Sequence, residues 1–431
     1  MSAVSHVLIV PSEEFLPPNN HLSGMFQLHQ AETLLDVGLK VGVLSVHQAH
    51  SIPMFIRAGL MRVIRQKPGN ALDEVPLREL GRQLIRKTFL PSAVELDSTH
   101  AIPVIRAEGF YYLPPSPRTR HFGWVRAGLA AFDAYTSRFG RPDVVHAHNL
   151  DPAGLLAERI FHKRGVPFVV TEHSSTYFER GLVDRSVYSR LARAARSSKG
   201  VAAVSPALAS VLVRELDLED VQIRIIPNVV EKLFLDAPLA SESPLAGFRF
   251  LSVGNLVPVK AHDLLINAFA RAFRGNWEVT LRIAGDGPSR GMLADLILRL
   301  DLSSQVSLAG RLSREGILNE IDRCDSLVLP SEHETFGVVL IEALSRGKPV
   351  VATECGGPES FIEAADGILV RPRDVDALAA GLTRMVTERD SYRDETRRDR
   401  TISRFGPETL RRSLTELYAE ALTSRSERTI P

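Results

Sequence analysis

The stretch that decides the fold runs from Ser331 to Glu359 and reads SEHETFGVVLIEALSRGKPVVATECGGPE. Its apolar residues recur at helical spacing from Val338 to Leu344, and the pattern ends at Gly347, just before Pro349. The β-branched run from Val350 to Thr353 then predicts a strand. The segment therefore predicts the helix-to-strand step from which α/β folds are built.

Gly337 stands where the predicted helix opens. The first N–H groups of a helix have no partner within it, and the positive end of the helix dipole lies there, so a helix start attracts phosphate oxygens. A glycine lets the backbone approach such an anion closely. Two carboxylates, Glu334 and Glu342, flank this position. Because carboxylates repel phosphate, they are expected to bind neutral hydroxyl groups, and the combination suits a sugar nucleotide.

The segment resembles the nucleotide-sugar-binding signature of the family 4 retaining glycosyltransferases, also called glycosyl transferases group 1. The matching residues are Ser331, Phe336, Gly337, Glu342, Ala343, Gly347, Pro349 and Gly356 to Glu359. The resemblance implies an α/β protein with the GT-B fold, in which two Rossmann-like, doubly wound domains face each other across a cleft.

The same resemblance assigns expected roles to residues of the segment. Glu334 is expected to contact hydroxyls of the donor sugar and to act in catalysis, and Glu342 is expected to contact the ribose. Backbone amides near Phe336, Gly337 and Val338 are expected to hold the diphosphate. The alternative is that both glutamates are ordinary surface residues.

A second candidate site is the stretch VGNLVPVK, from Val253 to Lys260, in which a strand and a glycine turn precede a lysine. A lysine there can reach a diphosphate as a mobile point charge. The stretch resembles the family's phosphate-binding loop, where an Arg and a Lys neutralise the leaving group, and Lys260 matches the Lys. Asn255 stands where many members carry Arg, and Ala261 where many carry Gly. We expect Lys260 to be catalytic and Asn255 to bind the donor with less positive charge than usual.

Three residues of the first half are also site candidates. His148 ends a predicted strand and resembles the family histidine that lies close to the transferred sugar, so it is expected to be catalytic. His173 ends the next predicted strand and is a candidate contact for acceptor or donor. Gly24 matches one glycine of a family loop that closes near the donor phosphate. The simpler interpretation of either histidine is a satisfied structural residue.

The glycine-rich stretch from Ile283 to Pro288, IAGDGP, superficially suggests a dinucleotide fingerprint. Such a pattern alone is weak, and Pro288 disfavours the usual helix start. It more closely resembles a structural turn of the same transferase family, and we follow that interpretation.

The length of 431 residues favours two domains. Strands and helices alternate through residues 1–230, which are expected to form an acceptor-binding domain. The pattern restarts at Phe248, after a linker at 231–247 that is rich in Pro, Ser and Gly. Residues 248–406 are expected to bind the nucleotide sugar, and a last helix at 407–423 is expected to pack back on the first domain.

Composition excludes several classes of protein. The net charge of +1 disfavours nucleic acid as a partner, since duplex binding needs a concentrated cationic surface. The two cysteines show neither metal-ligand spacing nor a disulfide framework. The first residues lack the basic n-region of a signal peptide. The sequence contains no run of 18 apolar residues, so no membrane-spanning helix is expected. We expect a cytoplasmic protein.

The region from Ser51 to Phe110 fits the alternating pattern least well, and its part from Arg57 to Lys87 is rich in basic residues. It mixes apolar and basic residues with few acids, a composition that can lie on an anionic membrane surface. Helices packed on their own domain are the simpler alternative. The sequence leaves both open.

The predicted reaction is glycosyl transfer from a UDP-sugar or GDP-sugar to a hydroxyl of a glycan, glycolipid or small molecule, in bacterial-type polysaccharide or glycolipid assembly. The resemblance implies retention through same-face attack, and no carboxylate pair typical of glycoside hydrolases stands out in the sequence. No Asp-rich motif accompanies the signature, so neither a metal nor a cofactor is expected. The alternatives are a non-catalytic sugar-nucleotide-binding subunit, motivated by Asn255, and a GT-B epimerase acting on the sugar nucleotide.

Overall fold

The computed structural model describes residues 4–17, 24–51, 78, 94–97, 102–111, 121–178, 185–239, 247–392 and 396–423. The chain divides into two compact units. The first unit comprises residues 1–203, 209–226 and 411–431, and the second comprises 204–208 and 227–410. Over the described residues, no helix combines the length and the apolar character needed to cross a lipid bilayer.

The first unit is built on one sheet of eight described strands in the order β3-β4-β2-β1-β5-β6-β7-β8. All neighbours are parallel except β3, which runs antiparallel to β4. The strands are β1 His6–Pro11, β2 Lys40–Ser51, β3 Val94–Asp97, β4 Val104–Tyr111, β5 Val144–His148, β6 Phe168–Glu172, β7 Val201–Ala203 and β8 Ile223–Ile225. Central strands β1, β5 and β6 are buried throughout, as expected where helices cover both faces of a parallel sheet.

Six described helices accompany this sheet: Met25–Leu35, Phe122–Phe139, Leu155–Arg164, Arg185–Ser197, Pro206–Leu216 and Pro407–Thr423. The last of these belongs to the first unit from Arg411 onward. A Cβ atom on Gly200 would lie only 2.6 Å from Cδ1 of Leu417, so the glycine makes room for this helix. The Tyr418 hydroxyl also lies 2.8 Å from Nδ1 of the buried His146.

The second unit is built on a fully parallel sheet of six described strands in the order β11-β10-β9-β12-β13-β14. They are β9 Phe248–Val253, β10 Val279–Ala284, β11 Val306–Gly310, β12 Ser326–Leu329, β13 Val350–Thr353 and β14 Gly367–Val370. Its helices are Lys232–Asp236, His262–Phe273, Arg290–Arg299, Arg314–Arg323, Val338–Ser345, Val375–Thr387 and Arg397–Phe405. The sheets confirm the predicted α/β class.

The core of the second unit lies between this sheet and the helices that cover it. Phe250, Leu265, Phe269 and Val351 are buried within one apolar cluster. Truncating an aromatic side chain in such a core costs about 3–5 kcal/mol. The site residues described below therefore stand on a rigid support.

The chain order reverses at the centre of each sheet, and this fixes where ligands can bind. β9 lies between β10 and β12, and β1 lies between β2 and β5. In doubly wound sheets the crevice outside the carboxyl ends of strands at such a switch point is the usual binding site. The loops after β9 and β12, and those after β1 and β5, are therefore brought together within their own units.

Two regions differ from the simplest sequence expectation. Within 231–247, expected as a linker, Lys232–Asp236 form a helix whose Phe234 is fully buried in the second unit. Residues 240–246 lie outside the described residues, as does most of Arg57 to Lys87. The membrane hypothesis for that basic segment therefore stays a prediction.

Candidate active site

The loop after β12 carries the two carboxylates of the sequence signature. Gly337 adopts φ 92°, a left-handed conformation that favours glycine, and the helix Val338–Ser345 starts directly after it. Within the described residues, no side chain caps this helix start. Its first amides, at Val338 and Val339, are the groups that a helix leaves without internal acceptors. The geometry thus matches the anion cradle predicted from Gly337 and Val338.

Backbone pairing fixes the loop in front of this helix. Glu334 donates its N–H to the carbonyl of Cys355 at 3.0 Å, and Gly357 donates to the carbonyl of Glu334 at 2.9 Å. A Cβ atom on Gly357 would lie 2.4 Å from Cα of Phe336, so only glycine permits this approach. The Phe336 ring is buried and stacks on Phe361 at 4.9 Å between centroids. Its side chain is therefore core, and only its backbone is suited to a ligand.

Lys260 and Glu334 meet at this point. Nζ of Lys260 donates a hydrogen bond to Oε1 of Glu334, which also accepts from the Ser331 hydroxyl at 2.8 Å. Both side chains are partly exposed, 25% for Lys260 and 12% for Glu334. Because both side chains keep some exposure, a ligand can reach this pair.

The loop that carries Lys260 is tied to the loop after β12. The carbonyl of Val259 accepts the N–H of Glu332 at 2.8 Å. Ala261 sits at φ 47°, in the left-handed region, which explains why a glycine suits this position in related loops. Asn255 is exposed in the same loop. The structure therefore brings Lys260 to Glu334, in the loop that precedes the helix start at Gly337, with Asn255 exposed in the loop of Lys260.

The glycine-rich turn after β10 supports the Lys260 loop. A Cβ atom on Gly285 would lie 1.9 Å from the carbonyl oxygen of Gly254, and one on Gly287 would lie 2.6 Å from that of Leu256. The next helix begins only at Arg290. These glycines thus permit close backbone packing.

Glu342 is almost fully buried, with 2% exposed, and belongs to a second charged group. Arg314 donates from Nη2 to Oε1 of Glu342 and from Nε to Oε2 of Glu231 at 2.6 Å. Its guanidinium also lies 4.9 Å above the Phe234 ring. Burial opposes the charge on Arg314, but the carboxylates of Glu342 and Glu231 outweigh it and raise the pKa of Arg314.

Sequence reasoning missed Arg314 and Glu231. They lie 28 and 111 residues before Glu342 in the chain, at no motif spacing. The one available signal was a basic residue directly after Ser313, whose hydroxyl caps the helix Arg314–Arg323 by accepting from Gly316. A cation at a helix start is locally unfavourable.

His262 lies buried beside the Lys260 loop, with its ring 3.7 Å from the position of a Cβ on Gly254. Burial, and then the charge of Lys260, lower the pKa of His262 to about 4. The imidazole is therefore neutral at pH 7 and adds no cation to the loop.

In the first unit, His148 and His173 end neighbouring strands, as predicted. Nδ1 of His148 and Nε2 of His173 share a hydrogen bond of 3.0 Å, and the rings stack at 5.1 Å between centroids. The ring of His146 also stacks against that of His148, at 4.6 Å between centroids. Burial, with the neighbouring imidazoles, holds the pKa of His148 well below its usual range. Among the described residues, Nε2 of His148 has no hydrogen-bond partner.

Glu172 is a further residue that sequence reasoning missed in this unit. Its carboxylate is fully buried and accepts the N–H groups of Leu150, His173 and Ser174 at 2.9–3.0 Å. Burial is the main cause that raises the pKa of Glu172 to about 7. This carboxyl group therefore orders the backbone that carries His173.

Gly24 opens the helix Met25–Leu35 with φ 83°. Its N–H donates to Oε1 of Glu13 at 3.3 Å, and a Cβ atom on it would lie 2.8 Å from the Phe15 ring. Residues 18–23 of the predicted loop lie outside the described residues. The phosphate role expected for Gly24 stays a prediction.

The predicted residues thus form two groups, one in each unit. In the second unit, Lys260 contacts Glu334 in the loop that leads to the amides from Phe336 to Val338, Asn255 lies in the loop of Lys260, and Glu342 is held by Arg314. The histidines lie together in the first. Among the described residues, no three His, Cys, Asp or Glu side chains form a metal-ligand group. Metal independence nevertheless stays a prediction.

Comparisons with known proteins identify the family. The model for glycosyl transferases group 1 matches residues 240–401, and that for Glycosyltransferase Family 4 matches residues 77–232. A glycogen synthase of Mycobacterium tuberculosis is 30% identical over 316 residues, which cover 70% of this chain and 74% of that protein. The chain belongs to the family 4 glycosyltransferases. This confirms the resemblance first seen between Ser331 and Glu359.

Solved structures of similar shape confirm the GT-B fold of this family 4 glycosyltransferase. A sucrose-phosphate synthase from Thermosynechococcus elongatus has a TM-score of 0.71 at 19% identity, covering 97% of this chain and 100% of that one. Anabaena HepE in complex with UDP-glucose has a TM-score of 0.65 at 19% identity, with the same coverage. At such identities the likeness shows the fold alone.

Proposed function

We propose that this glycosyltransferase moves a sugar from a UDP-sugar or GDP-sugar to an acceptor hydroxyl with retention of anomeric configuration. The observation that carries the proposal is the contact between Lys260 and Glu334 beside the open helix start at Gly337. A cation and free amides suit a diphosphate, and a carboxylate suits sugar hydroxyls. The complex of Anabaena HepE with UDP-glucose makes UDP-sugars the first donors to test.

In the proposed mechanism, the bond from the anomeric carbon to the phosphate oxygen breaks while the acceptor oxygen attacks from the same face. The acceptor proton passes to an oxygen of the leaving diphosphate. Lys260 and the amides at Val338 and Val339 stabilise the charge that develops on that group. Glu334 positions the sugar, and Glu342 binds the ribose. Catalysis then depends on positioning and electrostatics and needs no carboxylate nucleophile or metal.

The test is a panel of UDP-, GDP- and ADP-sugars scored by thermal stabilisation, followed by NMR of the product formed with glycan, glycolipid and small-molecule acceptors in EDTA. The expected result is stabilisation by one donor series and a product with the donor's anomeric configuration. Inversion of that configuration would contradict same-face attack. Stabilisation by none of the panel would overturn the proposed donor class.

A sugar-nucleotide-binding subunit without turnover is the second candidate, because the exposed Asn255 leaves Lys260 as the one cation from the family's usual pair. Calorimetry with the best donor, combined with assays of donor hydrolysis and transfer, separates the two functions. Tight binding without turnover on any acceptor would favour the subunit.

A further inference from the structure

The group formed by Glu231, Arg314 and Glu342 is built against a local rule. Arg314 is the first residue of the helix Arg314–Arg323, where the helix dipole disfavours a cation. It is nevertheless held there by two carboxylates that are both at least nine-tenths buried. Natural proteins break such local rules mainly at functional sites, and the lost stability is compensated elsewhere in the structure.

The charges of these three side chains sum to −1, since two carboxylates surround one guanidinium. In a site of low dielectric, excess negative charge favours neutral hydrogen-bond donors and disfavours phosphate. A carboxylate offers about four lone-pair directions, so Glu342 can accept further hydrogen bonds beside that from Arg314. The vicinal 2′- and 3′-hydroxyls of a ribose are donors of this kind.

The planar fork of Arg314 also restricts orientation. Its Nε points to Glu231 and its Nη2 to Glu342, and the ring of Phe234 lies against the guanidinium plane. A guanidinium held on three sides defines the direction of the carboxylate that it contacts, which a flexible ammonium does less well. The Glu342 carboxylate is thereby preorganised.

We propose that Arg314, held by Glu231, is a positioning residue that fixes Glu342 and makes this enzyme prefer ribonucleotide diphosphates over their 2′-deoxy counterparts. The inference rests on the proposed function, in which Glu342 binds the ribose. It assigns a specificity role to two residues that lie outside the sequence signature.

The test is calorimetry with UDP, 2′-deoxy-UDP, GDP and 2′-deoxy-GDP. For the base that binds better, we expect the wild type to prefer the ribonucleotide by about tenfold, as for one hydrogen bond to a charged group. The double variant R314M/E231Q keeps the summed charge at −1 but removes the guanidinium. Its preference is expected to fall to about twofold or less, while its affinity for the deoxynucleotide changes little.

Three further variants separate positioning from stability. R314K should restore an intermediate preference, and R323M, an exposed arginine on the same helix, should leave the wild-type preference unchanged. If R314M/E231Q fails to fold, E231Q alone should lower the preference about threefold, because Arg314 then neutralises Glu342 completely.

The outcomes also separate this inference from the proposed function. A full preference retained in folded R314M/E231Q, or in E231Q when the double variant does not fold, would overturn the role of Arg314 and leave the proposed function standing. If an active wild type bound the ribonucleotide and its 2′-deoxy counterpart equally well, the inference would be overturned as well. A wild type that binds none of the four nucleotides and transfers no sugar would overturn the proposed function itself.

Discussion

In the second unit, the candidate side chains Lys260, Glu334 and Glu342 are charged and paired, whereas in the first unit His148 is buried and neutral. Lys260 with Glu334, and Arg314 with Glu342, place opposite charges in contact. His146, His148 and His173 instead form a stack of imidazoles in which burial lowers the pKa of the first two. Paired charges suit a charged ligand, and neutral imidazoles suit hydroxyl groups.

The difference shows that the two regions avoid unpaired buried charge in different ways, by ion pairing in the second unit and by neutral imidazoles in the first. In the second unit, the proposed function has a ligand's phosphate replace Glu334 as the partner of Lys260. The charge of Lys260 would then be neutralised by Glu334 without ligand and by phosphate with it. In the first unit, the cost of charging a buried imidazole keeps His146 and His148 neutral. The two regions should therefore respond differently to pH and to single substitutions.

The largest expected effect is a pH dependence of stability set mainly by buried groups of the first unit. Burial lowers the pKa of His146 to about 3 and holds that of His148 well below 6.5, while it raises the pKa of Glu172 to about 7. Between pH 4.5 and 6.5, unfolding lets both histidines take up a proton and lets Glu172 release one, so these three groups make stability fall by about 1.4 kcal/mol per unit decrease in pH. His262 of the second unit, whose pKa burial lowers to about 4, takes up one more proton on unfolding and brings the expected slope to about 2.8 kcal/mol per pH unit. Urea unfolding across this range measures the slope.

The variant E172Q sharpens this test because it removes the one group that opposes the histidines. Its slope should rise by about 1.4 kcal/mol per pH unit, since the proton that Glu172 releases on unfolding no longer offsets one taken up by a histidine. An unchanged slope would mean that Glu172 is ionised in the folded protein across this range.

The next effect concerns Glu334 in the second unit. Glu334→Ala should lower kcat/KM for transfer at least about tenfold, or roughly 1.4 kcal/mol of transition-state stabilisation. Its affinity for the free nucleoside diphosphate should not fall, because Lys260 is released from its partner. Steady-state kinetics and calorimetry together measure both quantities.

The matched control is Glu332→Ala, in the same loop. The Glu332 carboxylate contacts the exposed Arg373 at 2.5 Å, and transfer should stay within about twofold, as for loss of a surface ion pair. Equal rates for folded Glu334→Ala and the wild type would remove Glu334 from the site.

Lys260→Ala, unlike Glu334→Ala, should weaken the binding of the nucleoside diphosphate. Removal of the cation leaves Glu334 uncompensated beside the diphosphate, so nucleoside diphosphate affinity should drop about fivefold, or ~1 kcal/mol for a partly exposed charge. Titration at two salt concentrations measures it, since a charge effect shrinks at high salt. Equal affinity of variant and wild type would count against the phosphate role of Lys260.

The comparison also separates what the sequence could predict from what it could not. The helix Val338–Ser345 and its glycine start were predictable because a local pattern encodes them. The strands that end at His148 and near His173 were predictable for the same reason. The pairing of Arg314 with Glu231 and Glu342 was not, because the fold alone brings together residues so far apart in the chain.

The neutral state of His146 and His148 was also not predictable from the sequence. It depends on full burial, and the side chains that pack on His146 include Tyr418 and Gln30, which lie 272 and 116 residues away in the chain. No spacing rule connects such residues. Local motifs therefore indicate which groups are present, while tertiary packing decides their charge.

The smallest expected effect tests whether the second unit lacks a cation. Asn255 is exposed in the loop of Lys260, so Asn255→Arg adds a positive charge with little desolvation. Nucleoside diphosphate affinity should rise about two- to threefold, as expected for ~0.5 kcal/mol from an exposed charge contact, and the gain should vanish in high salt. Calorimetry measures it, with Asn255→Gln as the neutral control. A gain of equal size in both variants would show that side-chain length, and not charge, limits binding at this loop.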